Sequence, residues 1–174
     1  AITPTALKYA LADELGIEYP RNIGQHKIMQ LINQALIKIK SEGKKAVLII
    51  DEAQALPEDC LEAVRLLTNL ETEKSKLLHV ILLGQPELDE NLNKKSVRQL
   101  KQRITFTHNL VPLTQQTIHT YLSHRLQVAG YSGQEIFDKK ISQRIYKLTS
   151  GVPRLINILA NKCLLLALGE DNAR

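Results

Sequence analysis

Ala46-Val-Leu-Ile-Ile-Asp-Glu52 is an apolar run that stops abruptly at two adjacent carboxylates. Its β-branched content, following Gly43-Lys44-Lys45, predicts a strand buried on both faces, as in a parallel sheet. Open α/β sheets bind ligands beyond the carboxyl ends of their strands. Two carboxylates at that end have the layout of a Walker B element. In that layout Asp51 holds Mg²⁺ through its water shell, and Glu52 orients and deprotonates the water that attacks a γ-phosphate. The plain alternative is a buried strand ending in a solvated acidic turn.

A phosphate-cradling loop requires Gly-x-x-x-x-Gly-Lys followed by Ser or Thr. None of the eight glycines is paired at that spacing; Gly43-Lys44 comes nearest, but position 38 is Lys and position 45 is Lys. The chain opens at Ala1 without Met, in what resembles a strand-to-helix connection, and so reads as a piece of a longer protein.

At 174 residues and 44% hydrophobic content the chain has ample material for one core, or for one domain with a small satellite. No stretch approaches the ~18 uninterrupted apolar residues of a membrane-spanning helix. Cys60 and Cys163 each fall within an apolar helical pattern, which predicts reduced, buried thiols. The five histidines show no metal-ligand spacing, since His119 and His124 fall on different helix faces. Net charge is +5, with basic residues clustered in 38–45, 94–103 and 139–147. No aromatic residues interleave with these clusters, which argues against a base-stacking platform and for solvated helix faces.

Thr3-Pro4 and Gly16 bracket one predicted helix. Asn22 is placed to cap a second, whose stripe is Ile28, Leu31, Ile32, Ala35, Leu36 and Ile39. Pro57 opens a third, with Glu58 and Asp59 in its first turn to complement the helix dipole. Leu78 to Leu83 reads as a second buried strand ending at Gly84-Gln85-Pro86. A short helix follows, then a basic one with Val97, Leu100 and Ile104 inward. Ile104 to Leu110 alternates as a third strand would. Beyond Pro112 only helices are predicted, capped by Thr114 and Asp138, with a last one after Gly151-Val152-Pro153 that is apolar nearly all round. That helix should be heavily packed or face another subunit. The pattern is an α/β layer followed by an all-α lid, with boundaries at 1–112 and 113–174.

Three further side chains are candidates for chemistry. Gln85 lies just past a strand, level with Asp51 and Glu52 if the two strands are neighbours; its alternative role is to cap the helix beginning at Pro86. Arg154 sits in the first turn of the last helix, where a cation opposes the dipole, so an anion is its better partner. Arg103 lies between the basic helix and the predicted third strand, and by itself reads as a surface charge.

Taken in order, the blocks Leu48–Gln54, Leu66–Lys74, Leu83–Leu88, Arg98–Ile104 and Gly151–Asn157 resemble an AAA+ ATPase. More narrowly, they resemble the bacterial general-secretion-pathway A and MSHA-pilus-biogenesis group. The resemblance covers essentially the whole chain and implies a partial P-loop NTPase: a three-layer parallel-sheet domain followed by a helical lid. By position it makes Asp51 the Walker B aspartate, Glu52 the catalytic glutamate and Gln85 the sensor 1 residue. Arg103 matches the arginine finger acting across a subunit interface, and Arg154 the sensor 2 arginine of the lid. Sensor 1 is commonly Asn, Ser or Thr in such proteins, and here it is Gln. The Walker A loop and its strand, which the family carries just upstream of this segment, are not in this sequence.

The resemblance implies ATP and Mg²⁺ as cofactors and hydrolysis at the interfaces of a homo-oligomer. It implies work at the cytoplasmic face of the bacterial inner membrane, with secretion or pilus components as partners and a peptidoglycan link through a domain outside this segment. It also implies that this segment alone is inactive. Transposition helper ATPases and replication initiators share similar blocks and bind DNA; the basic clusters would serve that alternative. The Gly-Gln-Pro-Glu-Leu and Asn-Leu-Glu-Thr-Glu-Lys blocks favour the secretion group over nucleic acid. A nucleotide-free scaffold is a third class.

Overall fold

The computed structural model describes residues 2–72 and 75–171, so Glu73 and Lys74 of the Leu66–Lys74 block lie outside the described residues. The chain divides into two compact units, Ala1–Thr107 and His108–Arg174.

In the first unit, α1 (Pro4–Glu14) begins as the sequence predicts. The Thr3 side chain accepts a hydrogen bond from the Ala6 N–H, and Pro4 takes the first helical position, where its missing N–H has no helical partner to lose. The next helix, α2 (Gln25–Ser41), is capped by Gly24 and not by Asn22. Asn22 is consumed by the preceding turn, which closes with the Ile23 N–H on the Pro20 carbonyl at 3.1 Å. The stripe on α2 turns inward as predicted, with Ile28, Ile32 and Leu36 fully buried. Each contributes about 1.5–3 kcal/mol of burial free energy.

β1 (Ala46–Ile50) leads through a 3-10 turn at Ala53–Ala55 into α3 (Glu58–Leu67). A short antiparallel ladder follows, β2 (Glu71–Thr72) with β3 (Ser75–Lys76), which no pattern in the sequence signals. It delivers the chain to β4 (Leu78–Leu82), which pairs in parallel with β1 from Ala46↔Leu78 to Ile50↔Leu82. Ala46, Leu48, Ile50, Val80 and Leu82 pack with α1, α2 and α3 residues in one core. After β4 come α4 (Glu87–Leu92), a 3-10 turn at Lys95–Val97 and α5 (Arg98–Lys101), with Val97 and Leu100 buried.

Two expectations fail here. β1 is not buried on both faces: Val47 is 51% and Ile49 58% exposed, and Ile81 on β4 is 45% exposed. Among the described residues, helices cover only one face of this two-stranded sheet, so the run of apolar residues reports composition and not two-sided packing. Nor is Ile104 to Leu110 a strand. Ile104 rests against the core, but Phe106 and Leu110 are 90% and 91% exposed. Strands are stabilised by ladder bonds, and β1 and β4 bond to each other and not to this segment. Alternation without a neighbour does not make a strand.

The second unit is helical: α6 (Gln115–Val128), α7 (Lys139–Thr149) and α8 (Pro153–Asp171). Asp138 caps α7 by accepting the Ile141 N–H at 2.7 Å, and Thr114 occupies the cap position of α6 without a side-chain bond to the backbone. Its core is Ile118, Leu122, Phe137, Ile145, Ile156 and Ala160. Only one side of α8 is packed among the described residues; Leu165, Leu166 and Leu168 are 60–70% exposed. Cys163 on that helix is likewise exposed, contrary to expectation, whereas Cys60 is fully buried and its thiol donates to the Ile2 carbonyl at 3.3 Å. No described helix is long and apolar enough to cross a membrane.

The α7–α8 turn runs through Ser150 (φ 48°) and Gly151 (φ 77°), both left-handed. A Cβ on Gly151 would stand 2.0 Å from the Leu113 carbonyl oxygen, while the Gly151 carbonyl accepts the Leu113 N–H at 2.9 Å. Gly151→Ala therefore meets both backbone strain and a clash. It should lower stability by about 2 kcal/mol or more. The measurement is the urea midpoint followed by circular dichroism; an unchanged midpoint would mean that the turn rearranges without cost.

Candidate functional site

The parallel register brings the ends of β1 and β4 level. Just beyond the ladder the Leu83 N–H bonds to the Ile50 carbonyl at 2.9 Å, and the Leu83 carbonyl accepts the Ala53 N–H at 2.8 Å. These two bonds force the chain to turn at Asp51-Glu52 and not run on as strand. Glu52 absorbs the turn in the left-handed region, φ 52° and ψ 37°, which costs a non-glycine residue about 1–2 kcal/mol. The Glu52 N–H is taken by Asp51 Oδ1 at 2.8 Å. Strained backbone of this kind clusters at functional sites, where surrounding bonds over-determine it.

Asp51, Glu52 and Gln85 are all exposed. Gln85 Nε2 lies 3.4 Å from Glu52 Oε2, so the structure brings together two of the predicted site residues from two different strand ends. Gln85 does not cap α4 with its side chain; its backbone carbonyl accepts the Leu88 N–H at 2.9 Å. Between them stands Gln54, which is not among the candidate residues of the sequence. Gln54 Nε2 donates to Glu52 Oε2 at 2.6 Å, and Gln54 Oε1 accepts the Gln85 N–H at 3.1 Å. Gly84 makes room for this bridge, since a Cβ there would meet Gln54 Oε1 at 2.9 Å. The signal in the sequence was a polar side chain two residues past the paired carboxylates, inside an otherwise apolar Ala-x-Ala turn.

Arg103 ends the turn after α5, exposed, with its N–H on the Leu100 carbonyl at 2.9 Å and no side-chain bond among the described residues. The segment leading to it is pinned to α3: Glu58 receives Ser96 Oγ at 2.6 Å and Lys94 Nζ at 3.0 Å. The Ser96 hydrogen bond, and then the one from Lys94, hold the Glu58 carboxyl below the usual carboxylate range. Arg154 belongs to the second unit, where it is the second residue of α8, exposed and without an ion pair among the described residues.

For a divalent metal the donor set is sparse. No group of three His, Cys, Asp or Glu side chains among the described residues could enclose an ion. Asp51 nevertheless fits Mg²⁺, which is commonly bound through one or two carboxylates together with waters and substrate phosphates.

Residues 1–92 match the sequence model of the AAA domain family. Over 172 residues, 99% of this chain, the sequence is 42% identical to general secretion pathway protein A of Aeromonas hydrophila, covering 31% of that protein. It is also 28% identical over 160 residues, 90% of the chain, to an uncharacterised helix-turn-helix-type transcriptional regulator of Methanocaldococcus jannaschii, covering 37% of it. The chain thus spans about a third of the length of the curated relatives it matches. With a mixed α/β unit on a parallel strand pair, a helical unit after it and a family match over more than half its length, this chain belongs to the AAA domain family and is similar to general secretion pathway protein A.

Proposed function

We propose that the chain is part of an ATP-hydrolysing module that serves a bacterial secretion or pilus assembly system. The observation that carries this reading is the meeting of the Glu52 carboxylate, just past β1, with Gln85, just past β4. In phosphoryl transfer the protein contributes positioning and charge neutralisation more than covalent chemistry. Glu52 orients a water and accepts its proton; Gln85 is within reach of the same carboxylate and steadies it. Asp51 holds Mg²⁺, which when bound neutralises phosphate charge. Arg103 reaches a nucleotide on a neighbouring subunit of a homo-oligomer, and Arg154 contributes a cation from a helical lid formed by the second unit. The β- and γ-phosphates require a donor-rich loop that these 174 residues do not contain as a Gly-x-x-x-x-Gly-Lys pattern. In this reading the partners are secretion or pilus components, including a link to peptidoglycan, and the place of work is the cytoplasmic face of the inner membrane.

A DNA-binding helper ATPase is the second reading. Its support is the similarity to the Methanocaldococcus regulator together with the basic run from Lys94 to Arg103. Binding to duplex DNA that weakens steeply with salt would favour it, because phosphate contacts release counterions.

In the full-length protein Glu52→Gln should lower ATP turnover by about 100-fold or more while leaving nucleotide binding intact. Wild-type turnover in that variant removes Glu52 from the reaction.

Arg103→Ala should also lose activity, by about 1,000-fold if the guanidinium acts on the transferred phosphoryl group. Mixed with Glu52→Gln it should regain part of it, because some interfaces then combine an intact glutamate with an intact arginine. No recovery at any ratio, in an oligomer that exchanges subunits, would place Arg103 outside the neighbouring site.

A further inference from the structure

We propose that Gln54 is a positioning residue that locks the Glu52 carboxylate to the Gln85 loop, an inference that rests on reading Glu52 as the base. Its three bonds go to three different elements. Nε2 donates to Glu52 Oε2 at 2.6 Å at the end of β1, and Oε1 accepts the Gln85 N–H at 3.1 Å past β4. Its backbone carbonyl accepts Asn91 Nδ2 at 3.1 Å, from α4. A carboxamide donates at its nitrogen and accepts at its oxygen without depending on protonation, so Gln suits both partners at once. Asn lacks the methylene that spans the gap. Glu keeps the acceptor for Gln85 but sets a like charge against Glu52.

The arrangement also specifies which carboxylate oxygen is free. Oε2 of Glu52 is the acceptor for both Gln54 and Gln85, while Oε1 has no hydrogen bond among the described residues. Gln54 thereby turns one oxygen toward the protein and leaves the other for a water. An exposed glutamate has three side-chain torsions to sample, and fixing them keeps the base in a productive orientation between turnovers. Gly84 belongs to the same device, because any side chain there would displace Gln54 Oε1.

The test compares Gln54→Leu and Gln54→Glu with Glu52→Gln in the full-length protein, and follows the Gln85 backbone amide by hydrogen exchange. Both Gln54 variants should lower kcat by about 10- to 100-fold at unchanged KM for ATP. The double variant Glu52→Gln/Gln54→Leu should be no slower than Glu52→Gln alone, because Gln54 acts only through Glu52. The Gln85 amide should exchange faster in Gln54→Leu and stay protected in Gln54→Glu, which retains the acceptor and guards against a folding artefact. Wild-type kcat in both Gln54 variants, with Glu52→Gln inactive, overturns the proposal, as does unchanged Gln85 exchange in Gln54→Leu. Full turnover in Glu52→Gln instead defeats the base assignment, and with it the catalytic role of Gln54. The two failures are therefore distinguishable.

Discussion

The pairing of β1 with β4 is the interaction on which the rest of the first unit depends. A parallel pair cannot be closed by a tight turn, and here the crossover from Ile50 to Leu78 runs through α3 and the short β2–β3 ladder. The pairing buries Leu48, Ile50, Val80 and Leu82 against the helices, and its register fixes which residues emerge together at the carboxyl ends. A slip of one residue would reverse every side chain on β4, sending Val80 and Leu82 outward and Ile81 inward. Gln85 would then leave the neighbourhood of Glu52. The core and the candidate site are thus set by the same five residue pairs.

Much of the fold was legible because it rests on local rules. Thr3 and Asp138 cap their helices through side-chain oxygens, and the stripe on α2 keeps its inward face. What was not legible depends on neighbours. Whether β1 has one covered face or two is decided by what packs on Val47 and Ile49, and no period in the sequence reports that. Ile104 to Leu110 has the alternation of a strand but no ladder partner, so its pattern carries no structure with it. Asn22 is a good cap residue that an overlapping turn claims first.

The candidate site divides along the same line. Asp51 and Glu52 stood out because charge at the end of an apolar run is anomalous, and Gln85 because it follows the next such run. Gln54 was hidden, since a lone glutamine in a turn has no distinguishing chemistry until the residues on either side of it are known. Arg103 and Arg154 are exposed in their own units, their side chains make no hydrogen bond or ion pair among the described residues, and their proposed work requires a neighbouring chain or a nucleotide.

Glu52 occupies a backbone conformation that glycine or asparagine would adopt more easily. Local preference and carboxylate chemistry therefore compete at one position. Optimising the chain for thermal stability alone would drift toward Gly or Asn at 52, relaxing the turn while discarding the carboxylate. Glutamate at that place carries a local folding cost, and a stabilised form of the chain that is to keep the carboxylate should leave position 52 untouched.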